Sequence, residues 1–286
     1  MLLRIVTAAV LIPIVVALVW WGPPLLLAGI AALIAILAVL EFLALGERIG
    51  MRGYKKWTYV GTALIFYAQY SAGFVIKHSF AEGISIVRDA AVGQLSVEAV
   101  LLIFIFGCIV LGLFSRQPLH EVLPAVAISS AALLFVALPF SYIVRVNETE
   151  PIGKQLVLFT LVLVWAGDML AYFVGKSLGR VPMAPALSPK KTWEGALGNL
   201  LGSLLVAVFF ARWMQMEVLM PLVIAGAANI AGQAGDLIES AYKRGVGAKD
   251  SGTLLPGHGG VLDRIDSLIL ASPVVWILYQ WLGQPR

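Results

Sequence analysis

The stretch AANIAGQAGDLIESAYKR, Ala227 to Arg244, decides how this chain must fold. As a helix it puts Asn229, Gln233, Asp236, Ser240 and Lys243 at spacings of four, three, four and three, which is one face of a 3.6-residue repeat. Up to Ile238 the rest of the segment is Ala, Gly, Ile and Leu, with Glu239, Tyr242 and Arg244 following at its end. Such a polar stripe cannot face lipid cheaply, so it is expected to face a cavity or other helices. Gly226, Gly232 and Gly235 let neighbouring backbones come close.

The surroundings explain why lipid is the reference solvent. The 286 residues are 60% hydrophobic and 13% charged. Soluble domains average about 45–50% apolar and about 25% charged, and a core for this length does not need the excess. The one cysteine, Cys108, lies in an apolar run, which excludes an intrachain disulfide and a multi-cysteine zinc site and suits packing. The first 24 residues, MLLRIVTAAVLIPIVVALVWWGPP, have an apolar run longer than a signal-peptide core and no small-residue cleavage site. Trp20 and Trp21 before Gly-Pro-Pro fit a helix end at the membrane interface, so this is read as an uncleaved first span.

Apolar runs of spanning length fall at 4–21, 24–44, 57–76, 97–115, 122–144, 155–178, 195–212, 217–239 and 266–283. The third is the weakest, carrying Tyr67, Gln69, Tyr70 and Ser71. The sequence therefore predicts an all-α integral membrane protein of about nine transmembrane helices. Residues 1–150 would hold about five N-terminal transmembrane helices. Residues 151–286 would hold the C-terminal catalytic helices and cytoplasmic loops. With the N-terminus cytoplasmic, fourteen of the twenty Lys and Arg residues fall on the inner side. The outer six are Lys77, Arg88, Arg145, Lys154, Arg212 and Arg286, and the C-terminus lies outside. The charged segments 176–194 and 240–265 then share the cytoplasmic face.

Three further features gather near those segments. The sixth run, LVLVWAGDMLAYFVGKSLG, buries Asp168 with Tyr172 one turn on. An ionisable residue inside a span is a functional candidate, and a helix-to-helix hydrogen bond is the plainer alternative. The next loop, SPKKTWEG, offers Ser188, Lys190, Lys191, Thr192 and Trp193, and Gly198 and Gly202 form a small-residue packing pair beyond it. The last is KDSGTLLPGHGGVLDRID, Lys249 to Asp266, where charge and glycine are concentrated just before the final apolar run. Asp263 and Asp266 are three apart and share a helical face; acids in a first turn can also merely complement the helix dipole. Carboxylates flanked by lysines and an arginine suit a divalent metal bound together with phosphate groups. Neither the GxxxxGK[ST] nor the GxGxxG phosphate-binding pattern occurs there.

The run SAYKRGVGAKDSGTLLPGHGGVLDRID closely resembles the signature of the phosphatidate cytidylyltransferases, also called CDP-diacylglycerol synthases. That signature asks for Ser, Lys-Arg, Lys-Asp, a small residue, Pro-x-His-Gly-Gly and Asp-Arg-x-Asp. Here these are Ser240, Lys243-Arg244, Lys249-Asp250, Gly252, Pro256, His258-Gly259-Gly260, Asp263-Arg264 and Asp266. Tyr242 stands where the family usually carries an aliphatic residue or Phe. GDMLAYFVGKSLG and SPKKTWEG also look like family motifs, so the resemblance is most specific over residues 168–266.

The resemblance implies that CTP and phosphatidate give CDP-diacylglycerol and pyrophosphate, in the step that feeds phospholipid synthesis. It implies Mg²⁺ on Asp236 and Asp263, with Asp266 and Asp168 as second choices, and the family is associated with a second, potassium-like cation. Lys249 and Arg264 join Asp236 and Asp263 as candidate catalytic residues. Lys190, Lys191 and Lys243 are candidate phosphate contacts; Ser188, Thr192 and Ser240 would orient CTP; His258 would donate to a phosphate or shape the turn. The expected partners are CTP, phosphatidate and the bilayer, with no nucleic acid and with a homodimer left open. The expected place is the cell inner membrane, multi-pass, with the active site towards the cytoplasm. A secondary transporter is disfavoured by the lack of an internal repeat. A CDP-alcohol phosphotransferase is disfavoured by the lack of that family's aspartate pattern, and a purely structural bundle leaves residues 249–266 unexplained.

Overall fold

The structure, a computed structural model, describes residues 2–81, 95–115, 118–254 and 259–283. Arg88, Pro256, His258 and Arg286, all named above, and Arg116, one of the fourteen inner basic residues, lie outside the described residues. The helices are α1 (Leu2–Trp21), α2 (Pro24–Glu47), α3 (Lys55–Ala81), α4 (Val97–Phe114), α5 (Leu119–Ala131), α6 (Leu138–Asn147), α7 (Gly153–Leu178), α8 (Trp193–Trp213), α9 (Leu219–Gly245) and α10 (Leu262–Leu282). A short hairpin, β1 (Pro182–Ala184) and β2 (Ser188–Thr192), is the one sheet among the described residues of this mostly helical membrane protein.

Among the described residues, six helical segments are long and apolar enough to cross a membrane: Pro24–Glu47, Val97–Phe114, Leu119–Asn147, Gly153–Leu178, Trp193–Trp213 and Leu262–Leu282. Helix α9 is long enough, but its polar stripe lowers its hydropathy. The fifth predicted span is one helical run interrupted by a π-helical turn at Ala132–Ala137. Pro139 follows directly and has no N–H to give to the preceding turn, so the backbone widens before it and re-forms as α6.

The chain forms two compact units. The first comprises Met1–Pro151 and Asp250–Leu262. Its core is built from fully buried Ala35, Val39 and Leu43 of α2, Ile65 of α3 and Phe104 and Cys108 of α4. Trp57 stacks on Phe104 with ring centroids 6.4 Å apart and donates its indole N–H to the Phe104 carbonyl at 2.9 Å. The weak third run is accounted for by direction. Gln69 is buried and donates to Ser141 Oγ of α6 at 3.2 Å, so its amide has a partner inside the bundle, while Tyr67 faces outward.

The second unit comprises Ile152–Lys249 and Asp263–Arg286. Helices α7 and α8 approach at small residues. A Cβ on Gly202 would stand 2.8 Å from the Ala166 carbonyl, and one on Gly198 would stand 2.8 Å from Val174 Cβ. Helix α9 meets α10 the same way, with Gly235 against the Asp266 carbonyl at 2.6 Å from such a Cβ. Helix α8 starts where the hairpin ends. Thr192 accepts the Gly195 N–H at 3.1 Å as N-cap, and Glu194 accepts the Arg180 N–H at 3.0 Å. The strands are antiparallel with Pro182 opposite Thr192 and Ala184 opposite Ser188, which turns the lysine pair of β2 back beside α7 and α9.

Candidate functional site

In the second unit a polar rail crosses three helices. Gln233 of α9 donates to Asn229 Oδ1 at 2.7 Å. Asn229 donates to Asn199 Oδ1 of α8 at 2.5 Å and to Ser203 Oγ at 2.7 Å. Asn199 in turn donates to Asp168 Oδ1 of α7 at 3.1 Å. Asn199 and Asn229 are buried, so each amide needs these bonds, and the satisfied chain holds Asp168 in one orientation. Gly167 beside Asp168 leaves the space that Asn199 fills.

The rail ends at a cavity of about 240 Å³ lined by Asp168, Tyr172, Lys190, Lys191, Thr192 and Asp236 among others. Lys191 of β2 forms an ion pair with Asp236 of α9. Lys190, next to it, is exposed at the cavity. One turn beyond Asp236, Glu239 is fully buried. Asp236, Glu239 and Asp266 each offer a carboxylate oxygen, and these oxygens lie within 4.8 Å of one another. Lys243 sits 2.5 Å from Glu239 Oε2, an ion pair without hydrogen-bond alignment, and donates to Asp263 Oδ1 at 2.6 Å. Asp266 accepts the Ser267 N–H at 2.6 Å.

This arrangement fits a hard divalent cation. Three carboxylates this close repel one another, and Lys191 and Lys243 offset only part of that charge. Among the described residues Glu239 Oε1 has no hydrogen-bond partner though it is buried, which is costly unless a cation or proton meets it. The donors are all oxygen, as Mg²⁺ prefers.

His258 lies outside the described residues, and the other candidate site residues named from sequence fall as follows. Asp168, Lys190, Lys191, Thr192 and Asp236 line the cavity together. Asp266 joins Asp236 in the carboxylate group, whereas Asp263 is held by Lys243. Thr192 spends its hydroxyl oxygen on capping α8, and Ser240 is buried on α9. Ser188 opens β2, and neither it nor the exposed Lys249 and Arg264 borders the cavity. Arg244 donates to the Leu187 and Ala248 carbonyls, tying the hairpin and the end of α9 together. Two residues escaped the sequence reading. Glu239, three after Asp236, sits on the same face of α9 and could have been found by its spacing; Asn199 carried no such signal.

A sequence model of the Cytidylyltransferase family matches residues 2–282. A phosphatidate cytidylyltransferase of Bacillus subtilis (strain 168) is 34% identical over 187 residues, 65% of this chain and 67% of that protein. One of Brucella abortus biovar 1 is 44% identical over 140 residues, 48% of this chain and 51% of that protein. One of Staphylococcus epidermidis is 38% identical over 149 residues, 51% of this chain and 56% of that protein. The aligned part thus spans about two thirds of the first relative and about half of the other two.

Proposed function

Because the chain belongs to the cytidylyltransferase family, we propose that it transfers CMP from CTP to phosphatidate, releasing pyrophosphate and leaving CDP-diacylglycerol. The observation that carries this reading is the carboxylate group Asp236, Glu239 and Asp266 with Lys191 and Lys243 against it, beside a cavity that Asp168, Lys190 and Lys191 also line. The relatives' names supply the substrates.

The reaction asks little acid or base chemistry of the protein. An oxygen of the phosphatidate phosphomonoester, already anionic near neutral pH, attacks the α-phosphorus of CTP. The bond from that phosphorus to the bridging oxygen breaks, and the electron pair leaves with pyrophosphate. The protein must hold the two anions in line and stabilise the charge that builds on the leaving group. Lys190 and Lys191 stand where a triphosphate entering the cavity would meet them. Lys249 and Arg264 are further phosphate partners. The Asn199–Asn229–Gln233 rail keeps Asp168 and the cavity wall fixed, so little reorganisation is needed on binding.

Mg²⁺ would be held by Asp236, Glu239 and Asp266, with Asp168 and Asp263 as neighbouring carboxylates. When bound it would neutralise phosphate charge and orient the triphosphate. A second, potassium-like cation belongs to the same reading. So do about nine crossings, a cytoplasmic N-terminus, an outer C-terminus and a site facing the cytoplasm of the inner membrane, with the bilayer supplying phosphatidate. A homodimer is compatible with it.

Purified protein in lipid nanodiscs, given labelled CTP, phosphatidate and Mg²⁺, is expected to form a labelled lipid and pyrophosphate in equal amounts. EDTA should stop turnover and added Mg²⁺ should restore it. Turnover unaffected by EDTA would remove the metal from the mechanism, and no labelled lipid in the presence of Mg²⁺ would remove the reaction.

A further inference from the structure

Glu41 lies in the middle of apolar α2 and is only 2% exposed. A buried carboxylate there needs partners, because burying an ionised group without them is expensive. Its Oε2 accepts two bonds, from the Ser251 hydroxyl at 3.0 Å and from the Leu262 N–H at 2.8 Å. These donors stand at opposite ends of one loop, residues 251–262, more than 200 positions away in the chain. The Leu262 amide belongs to the first residue of α10, one of the N–H groups a helix start leaves without an internal acceptor.

Two glycines of the same loop face the same carboxylate. A Cβ on Gly252 or on Gly260 would come 2.7 Å from Glu41 Cδ, closer than real side chains approach. Gly259, at φ +80°, makes a turn that a side chain would strain. Gly252 and Gly260 are thus matched to a single acid on α2. All these groups lie within the first compact unit.

The chain on either side of the loop carries the proposed chemistry. Lys249 and Asp250 precede Ser251, and Asp263, Arg264 and Asp266 follow Leu262. We infer that Glu41 is a positioning residue for cytidylyl transfer, a clamp that pins both ends of the 251–262 loop and so fixes the register of the phosphate- and metal-binding residues flanking it. The inference rests on the proposed function for what those flanking residues do. The clamp itself rests on the geometry alone.

The test uses the full chain in nanodiscs, with hydrogen exchange and steady-state kinetics as separate arms. In Glu41→Ala the Leu262 amide should exchange at least about tenfold faster while helices outside this contact keep their protection. Its KM for CTP and its half-saturating Mg²⁺ should both rise by about tenfold, the scale for losing a supporting partner behind a metal site. Glu41→Gln keeps an oxygen that can accept both bonds and should stay within about threefold of wild type, the rescue expected of a positioning role. Gly252→Ala should reproduce the kinetic defect in the wild-type background and add little in Glu41→Ala, where its methyl group has room.

Unchanged Leu262 exchange in Glu41→Ala would overturn the clamp. So would a drop in kcat that merely follows the amount of folded protein, with KM for CTP and Mg²⁺ dependence unmoved. If Glu41→Ala does not fold, Glu41→Gln and Gly252→Ala decide by the same readouts. Wild-type protein that makes no CDP-lipid would defeat the proposed function instead, and the exchange arm would still decide the clamp.

Discussion

Asp266→Asn is expected to lower kcat on the order of 10³-fold, the scale for losing a group that stabilises charge in the transition state. The change keeps size and shape and removes one negative charge from the group formed with Asp236 and Glu239. Its fold should survive, because easing repulsion among three close carboxylates does not open a cavity or orphan a cation. Asp236→Asn should act similarly on kcat, although it also deprives Lys191 of its ion-pair partner. Both variants should need more Mg²⁺ for half-maximal turnover. A metal titration of turnover at saturating CTP and phosphatidate checks this. An Asp266→Asn enzyme within threefold of wild type at every Mg²⁺ concentration would show that this carboxylate does not serve the metal.

Lys243→Met should damage both stability and activity. Lys243 is buried, 2.5 Å from Glu239 and 2.6 Å from Asp263, and Met fills similar volume without charge. Removing one partner of a buried ion pair leaves the other charges uncompensated, at a cost of about 3–5 kcal/mol. The double variant Lys243→Met, Asp263→Asn removes one of those charges and should recover part of the stability. Activity should not recover with it, because the cation that balances phosphate is still missing. Unfolding in detergent followed by intrinsic fluorescence separates the two effects. A Lys243→Met protein as stable as wild type would mean that Glu239 and Asp263 are already neutral or solvated.

Much of the helical framework is visible in the sequence because lipid imposes a crude rule, about 20 apolar residues per crossing. The runs at 24–44, 155–178 and 195–212 correspond to α2, α7 and α8 within a few residues. The rule fails where packing decides. Length and apolarity qualify six segments among the described residues, and α9 falls outside them because its polar face is directed at other side chains. The β1–β2 hairpin is too short and proline-bearing to read from alternation.

At the site, the stripe Asn229, Gln233, Asp236 and Lys243 is legible because it repeats with the helix. Glu239, three after Asp236, lies on the same face and is legible by the same spacing. The choice between Asp263 and Asp266 was not legible. Both lie in the first turns of α10, and the rotation of that helix against α9 settles which one meets Asp236 and which one meets Lys243. Glu41 could not be found from spacing at all, since its partners are at the far end of the chain.

The central claim is that Asp236, Glu239 and Asp266 jointly hold a divalent cation. Mn²⁺ binding followed by electron paramagnetic resonance, with CTP present and no lipid acceptor, tests it without turnover. The wild-type protein should bind one Mn²⁺ tightly. Asp236→Asn and Asp266→Asn should weaken that binding by more than about 100-fold, beyond what loss of an outer-shell partner costs. Equal Mn²⁺ affinity in the wild type and both variants would contradict the account.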